Sequence, residues 1–221
     1  KFNSKKPLWE KRDRLIISKG HGSISLYPIL ADFGFFNKKE LEKVATPGAL
    51  LSGIPDPNVP GYETINGSLG HGLGVACGIS LALKQRKKSE NVFVVMGDGE
   101  LFEGSVWEAI MFAGEHKLDN LTLIIDNNGA SMLDFCRNII DLEPLEKKFN
   151  DYKWLAKRVD GHKIGCILKV LEKLKNKKGQ PKVIIADTVK GKGIPSLERD
   201  PLSHIKSISG EEIDKIIADI G

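Results

Sequence analysis

Cysteine is scarce in this 221-residue chain, and its three occurrences, Cys77, Cys136 and Cys166, are odd in number and far apart. That spacing fits neither a disulfide framework nor a zinc site, so a reducing cytoplasmic setting is expected. Long apolar runs are missing as well. No stretch reaches the roughly 20 residues of a membrane span, and Lys1 to Glu10 lack the apolar segment of a secretory signal. A soluble protein without membrane contact is expected. An excess of one charge is also absent: 33 basic residues face 29 acidic ones, and the small surplus lies largely in lysine-rich stretches such as Lys173 to Lys178. With aromatics at 7%, the chain lacks the clustered Arg and Lys interleaved with aromatic side chains that a nucleic-acid groove uses. There is no internal repeat, and no biased tract beyond the turn from Lys175 to Gly179. The chain starts with Lys and not Met, its opening reads as a loop, and further residues are expected upstream.

What is present suffices for one substantial core: 41% of the residues are hydrophobic, and a single domain over residues 1–221 is expected. From about Asn91 onward, short β-branched runs alternate with amphipathic stretches of helical spacing. Asn91 to Met96 reads as a buried strand, Ser105 to His116 as a helix, and Leu121 to Ile125 as a second buried strand. A third strand falls near Trp154 to Val159, a helix over Lys163 to Leu174, a strand over Val183 to Ala186, and a last helix over Glu211 to Ile220. Continuous apolar strands alternating with helices imply an α/β fold: a doubly wound, mainly parallel sheet with helices on both faces. Gly67 to Leu83 reads as a helix from about Gly70, yet it carries several glycines that each cost about 1 kcal/mol against Ala. Close approach of a ligand or of another protein chain explains them, and so does tight packing of helix on sheet.

Ligands of such sheets sit beyond the carboxyl ends of the strands. Two of those ends stand out. Gly97-Asp98-Gly99-Glu100 puts a carboxylate at the tip of a sharp turn, and Asp126-Asn127-Asn128-Gly129 ends the next strand, with Asn128 thirty residues after Asp98. On neighbouring strands, the carboxylate and the amide oxygen would converge on one point. Hard divalent cations take such oxygens, and Mg²⁺ binds through few protein ligands plus phosphate oxygens. The helix after Gly104 would aim its N-terminus at an anion placed there. A metal-bridged diphosphate is the expectation, although an Asp in a glycine turn is by itself most often a turn residue.

These segments resemble thiamine-diphosphate enzymes, and their surroundings resemble the transketolase family. The resemblance runs in order through Arg12 to His21, Thr64 to Gly70, Gly97 to Gly104, Lys117 to Leu121, Val159 to His162 and Thr188 to Gly193. It implies a thiamine-diphosphate-binding domain of the diphosphate-binding type. In it Asp98 and Asn128 would ligate Mg²⁺ or Ca²⁺ by side chain and Ala130 by its carbonyl. The cofactor would be held by His21, Gly67, Ser68, Leu69, Gly97, Asp98, Gly99, Glu100, Asn128, Met132 and His204. Met132 would support the thiazolium ring, and backbone groups of Gly67 and Leu69 the aminopyrimidine. His21, Glu103 and His204 would be the catalytic residues, Glu103 as part of a carboxylate network between two cofactors. A first-turn glutamate at Glu103 is also sufficiently explained by the helix dipole. His71, His116 and His162 are expected to be mainly structural, with His71 the nearest of them to the site.

The implied reaction is transfer of a two-carbon ketol unit between sugar phosphates. The family's activating glutamate lies on a pyrimidine-binding domain, and no second βαβ series follows the last helix here. A C-terminal transketolase-like partner subunit carrying that domain is therefore expected, in an α₂β₂ heterotetramer. Two departures modify the picture. Gly53-Ile54-Pro55 stands where the family has Gly-His-Pro, and Ile54 cannot bond a donor hydroxyl; this implies a different substrate pair, such as a pyruvate-like donor or a deoxy or nucleotide-linked sugar. A family segment with a further active-site histidine would precede Lys1. A non-catalytic scaffold subunit is the reading from another class, and the intact Asp98 and Asn128 speak against it.

Overall fold

The computed structural model describes every residue except Pro55, Asn66, Leu133, Arg199, Pro201 and Gly221, with the side chain of Ile220 also left aside. Pro55 of the Gly53-Ile54-Pro55 motif and Asn66 of the Thr64 to Gly70 segment thus lie outside the described residues. Five strands form one sheet: β1 (Arg14–Ile17), β2 (Val92–Gly97), β3 (Leu121–Asn127), β4 (Leu155–Asp160) and β5 (Lys182–Asp187). Their spatial order is β1-β2-β3-β5-β4, and every pairing is parallel. The helices are α1 (Leu26–Asp32), α2 (Gly72–Gln85), α3 (Gly104–Glu115), α4 (Cys136–Ile139), α5 (Leu145–Asp151), α6 (Ile164–Lys175) and α7 (Gly210–Ile220).

The strands and helices expected from Asn91 onward are all present, within a residue or two of the periodic runs that announce them. Consecutive burial at Leu121, Thr122 and Leu123, and from Val183 to Ala186, shows that both faces of the central strands are covered. The main core joins these strands to Leu73, Ala76 and Cys77 of α2, to Val106 and Ile110 of α3, and to Phe149 and Trp154, whose Nε1 donates to the Ile110 carbonyl at 2.8 Å. A smaller core of Tyr27, Leu30, Leu51, Val59 and Tyr62 lies under the loops that precede α2.

The opening of the chain is not merely a loop. Arg14–Ile17 pairs with β2 in the register Leu15↔Phe93, and Ser18 N continues the ladder by donating to the Val95 carbonyl at 2.7 Å. Only four residues long and preceded by the four charged residues Glu10 to Asp13, this edge strand has too short an apolar run to announce itself. α5 was likewise not expected.

The glycine-rich helix resolves into two situations. Gly72 packs where a Cβ would strike Ser18 at the end of β1, so this one is tight helix-on-sheet packing. Gly74 and Gly78 have nothing within 4 Å of a Cβ and line an open groove between α2 and α3. Just before α2, Gly70 has φ +88°, and a Cβ there would come within 2.8 Å of Glu103 Cβ. A side chain at that position is excluded by both conformation and space.

Candidate active site

The register brings four strand ends to one place. Ile17 pairs with Val95, Gly97 with Asp126, and Asn127 with Asp187, so the residues following β1, β2, β3 and β5 share one edge of the sheet. There they enclose a cavity of about 220 Å³.

Its floor is oxygen-rich and pinned by backbone. Asp98 is 6% exposed; its Oδ1 accepts from Gly99 N at 2.9 Å and its Oδ2 from Gly129 N at 2.7 Å. Burial raises the Asp98 pKa, opposed by these two bonds and by the Cys136 thiol. Asn128 Oδ1 accepts from Ala130 N at 2.9 Å, and its Nδ2 donates to Asp126 Oδ2 at 3.3 Å. Asp126 also accepts from Lys19 Nζ and Thr188 Oγ1; burial alone would raise its carboxyl, but Lys19 above all holds it below the usual range.

The rim carries basic groups. Lys19, His21, Lys190 and His204 all line the cavity. The rings of His21 and His204 meet edge to face at 4.8 Å, and Lys190 Nζ lies 2.7 Å from His204 Nδ1. Loss of water pushes the His21 pKa down, from 6.5 to about 4, with His204, Lys19 and Lys190 adding to the shift. Burial and then Lys190 lower that of His204, and burial and then Lys19 lower that of Lys190. Two lysines beside two imidazoles that a nearby anion would help to protonate suit an anionic ligand.

Of the residues singled out in the sequence, Gly67, Leu69, Gly97, Gly99, Glu100, Ala130 and Met132 also line this cavity. Ser68 is exposed and does not. Glu103 lies outside it too, exposed at the start of α3. The wall is supplied by the short 3-10 turn Asp98–Phe102, and Gly104 and Ser105 of α3 are not part of it, so the helix expected to face an anion starts beyond the cavity. His71 lines the α2–α3 groove, His116 packs on Phe112 at 4.2 Å, and His162 Nε2 accepts from Val189 N at 2.8 Å. Sequence reasoning missed Lys19 and Lys190. Lys19 directly precedes Gly20-His21, and Lys190 sits in the Thr188 to Gly193 segment, so proximity to those motifs was the available signal.

No group of three His, Cys, Asp or Glu that could hold a metal occurs among the described residues. The donors at hand are the Asp98 carboxylate, the Asn128 amide oxygen and the Ala130 carbonyl. Few in number and hard, they suit a Mg²⁺ ion that takes its remaining oxygens from phosphate and water, and the four rim groups suit the phosphate.

No helix among the described residues is long and apolar enough to cross a membrane. The family described as transketolase, thiamine diphosphate binding domain, matches residues 1–221. The 6-deoxy-6-sulfo-D-fructose transketolase subunit SqwG of Clostridium sp. is 35% identical over 100% of this chain and 80% of its own length. One of the subunits of the apulose-4-phosphate transketolase of Phocaeicola vulgatus is 33% identical over 97% of this chain and 76% of its own length. Among solved structures, the transketolase of Campylobacter jejuni superposes with a TM-score of 0.90 at 31% identity, over 100% of this chain and 36% of that one. The chain thus spans most of the named subunits and little more than a third of the solved enzyme. With the parallel sheet and the strand-end cavity in place, the chain belongs to the transketolase family, as its thiamine-diphosphate-binding domain.

Proposed function

We propose that this chain is the diphosphate-binding subunit of a split transketolase-like enzyme. It holds thiamine diphosphate with Mg²⁺, or Ca²⁺ in its place, in the strand-end cavity, and transfers a two-carbon ketol unit between sugar phosphates. A partner subunit with a pyrimidine-binding domain completes the site in an α₂β₂ assembly in the cytoplasm. The reading is carried by one observation: Asp98 and Asn128 converge on a cavity that Lys19, His21, Lys190 and His204 also line. That both relatives are named as subunits supports the split arrangement.

In this reading Asp98, Asn128 and the Ala130 carbonyl hold the metal, and Lys190, His21 and His204 meet the diphosphate and the substrate. Gly67 and Leu69 take the aminopyrimidine through backbone groups, and the exposed Met132 presents an apolar face to the thiazolium ring. When bound, the cofactor would supply a nucleophilic carbon for addition to a carbonyl and an electron sink for the pair left by the C–C bond that then breaks. The chain's own groups position and exchange protons: His21 and His204, neutral before an anion arrives, donate N–H to oxyanions and can take up a proton at a ring nitrogen. Glu103, exposed at the start of α3, is accessible to a partner, as a carboxylate relay between cofactors requires.

Calorimetry with thiamine diphosphate and Mg²⁺, on this chain alone and with the candidate partner, tests the reading, with Asp98→Ala as control. Binding that the partner strengthens and the substitution abolishes is expected. No binding in any mixture would leave the scaffold reading.

Ile54 favours a refinement of the substrate. It is 47% exposed, and its Cδ1 lies 3.7 Å from where a Cβ on Gly67 would stand, so an apolar side chain flanks the cavity. An apolar group there cannot reward a donor hydroxyl. The reaction is accordingly read as serving a specialised sugar or a pyruvate-like donor, in keeping with relatives named for a sulfo-sugar and for apulose 4-phosphate. The assembled enzyme should turn over xylulose 5-phosphate with ribose 5-phosphate poorly, and ordinary transketolase rates on that pair would refute this refinement.

A further inference from the structure

One buried polar atom in the strand-end cavity has no role in the reading above. Glu100 is 2% exposed and lines the cavity on the Asp98–Phe102 turn. Its Oε1 accepts two hydrogen bonds, from Ser18 Oγ and from Gly70 N at 3.0 Å. Its Oε2 is shielded from solvent and accepts none among the described residues. Lys19, the cation nearest in sequence to Ser18, is tied to Asp126 instead. Folded proteins satisfy almost every buried carboxylate oxygen, because one left without a donor loses its water and gains nothing for it.

The carboxyl group is fixed in place by its other oxygen. Ser18 directly follows β1, and Gly70 closes the segment whose Gly67 and Leu69 line the same cavity. The unpaired oxygen is therefore held next to the segment that takes the aminopyrimidine, not on the basic rim. Thiamine diphosphate offers that neighbourhood one kind of N–H donor, the exocyclic amine of its pyrimidine; its ring nitrogens and diphosphate oxygens accept, and its thiazolium carries no N–H. The resemblance names Glu100 only among the residues around the cofactor; we propose that it selects the pyrimidine, with Oε2 accepting a hydrogen bond from that exocyclic amine. The inference rests on the cavity being a thiamine-diphosphate site.

The contact carries its own selectivity. Replacing the amine by a carbonyl oxygen sets two acceptors against each other, and an unmet polar pair discriminates strongly. The full chain, on its own and with the partner added, is titrated in Mg²⁺ with three probes. These are thiamine diphosphate, oxythiamine diphosphate, in which a carbonyl oxygen replaces the amine, and inorganic pyrophosphate, which has no pyrimidine. The native chain should prefer the amine form at least about tenfold, or about 1.4 kcal/mol. Glu100→Gln can turn either its oxygen or its NH₂ toward the ligand, and should shrink that preference below about threefold while leaving pyrophosphate affinity unchanged.

Equal affinity of the native chain for the two pyrimidines overturns the proposal, and so does an undiminished preference in Glu100→Gln. A loss of pyrophosphate affinity as large as the loss of cofactor affinity also overturns it, since Glu100 would then serve the metal end. The native comparison needs no variant, and circular dichroism verifies that the near-isosteric glutamine folds. Failure of the native chain to bind any of the three probes would defeat the cofactor reading itself, a different result from binding without discrimination.

Discussion

The floor and the rim of the strand-end cavity are held by opposite means. On the floor, both oxygens of Asp98 and the amide oxygen of Asn128 are fixed by backbone N–H groups of Gly99, Gly129 and Ala130, at the ends of two paired strands. On the rim, His21, His204 and Lys190 touch one another by side chain only, and they come from a 3-10 turn and a long loop. The floor is preorganised for a ligand of strict geometry, whereas the rim gathers basic groups that can shift to suit an anion. Metals demand the former and phosphates tolerate the latter.

The sharpest way to break this contrast is to remove one residue from each side. Asp98→Ala deletes the carboxylate that the proposed function makes a metal ligand and should lower Mg²⁺-dependent cofactor affinity by more than about a hundredfold, the upper end of what even indirect damage to a metal site costs. Lys190→Ala removes one of four cationic or imidazole groups and should cost about three- to tenfold, a loss that shrinks as salt is added. Isothermal titration at two ionic strengths checks both. A Lys190→Ala loss as large as that of Asp98→Ala, or one indifferent to salt, would mean that the rim is as geometrically exacting as the floor.

The floor could be read in the sequence because everything that places it is local. Val92 to Met96 and Leu121 to Ile125 are unbroken apolar runs, their helical crossover makes them parallel neighbours, and glycine turns follow each. The rim and Glu100 depend on distant parts of the chain. Lys19 and Lys190 meet only because β1 and β5 end at the same edge of the sheet, and β1 itself was too short to be recognised. The orphaned oxygen of Glu100 exists only because Ser18 and Gly70 both choose its other oxygen, a fact with no trace in residue order. The exposure of Ser68 and Glu103 was equally illegible, since motif position says which segment approaches a ligand but not which way each side chain turns.

The smallest effect is the most specific to the rim. His21 faces His204, Lys19 and Lys190, with Asp126 the opposing charge, and its pKa falls to about 4 from 6.5 through loss of water and then those neighbours. His204 is shifted the same way. On acidification the unfolded chain therefore takes up its imidazole protons first. Between about pH 6.5 and 4 it binds more protons than the folded chain, so stability falls as pH drops through that window. In the anion-free protein the His21 ring resonances should titrate near 4, and part of the fall in denaturation midpoint between pH 7 and 5 should vanish in His21→Gln. Adding inorganic pyrophosphate supplies the missing negative charge and should move the His21 titration back toward 6.5. A His21 that titrates near 6.5 with and without pyrophosphate would show that the four groups do not crowd one another. The rim would then be no more poised for an anion than any lysine-rich surface, and the contrast with the floor would lose its electrostatic half.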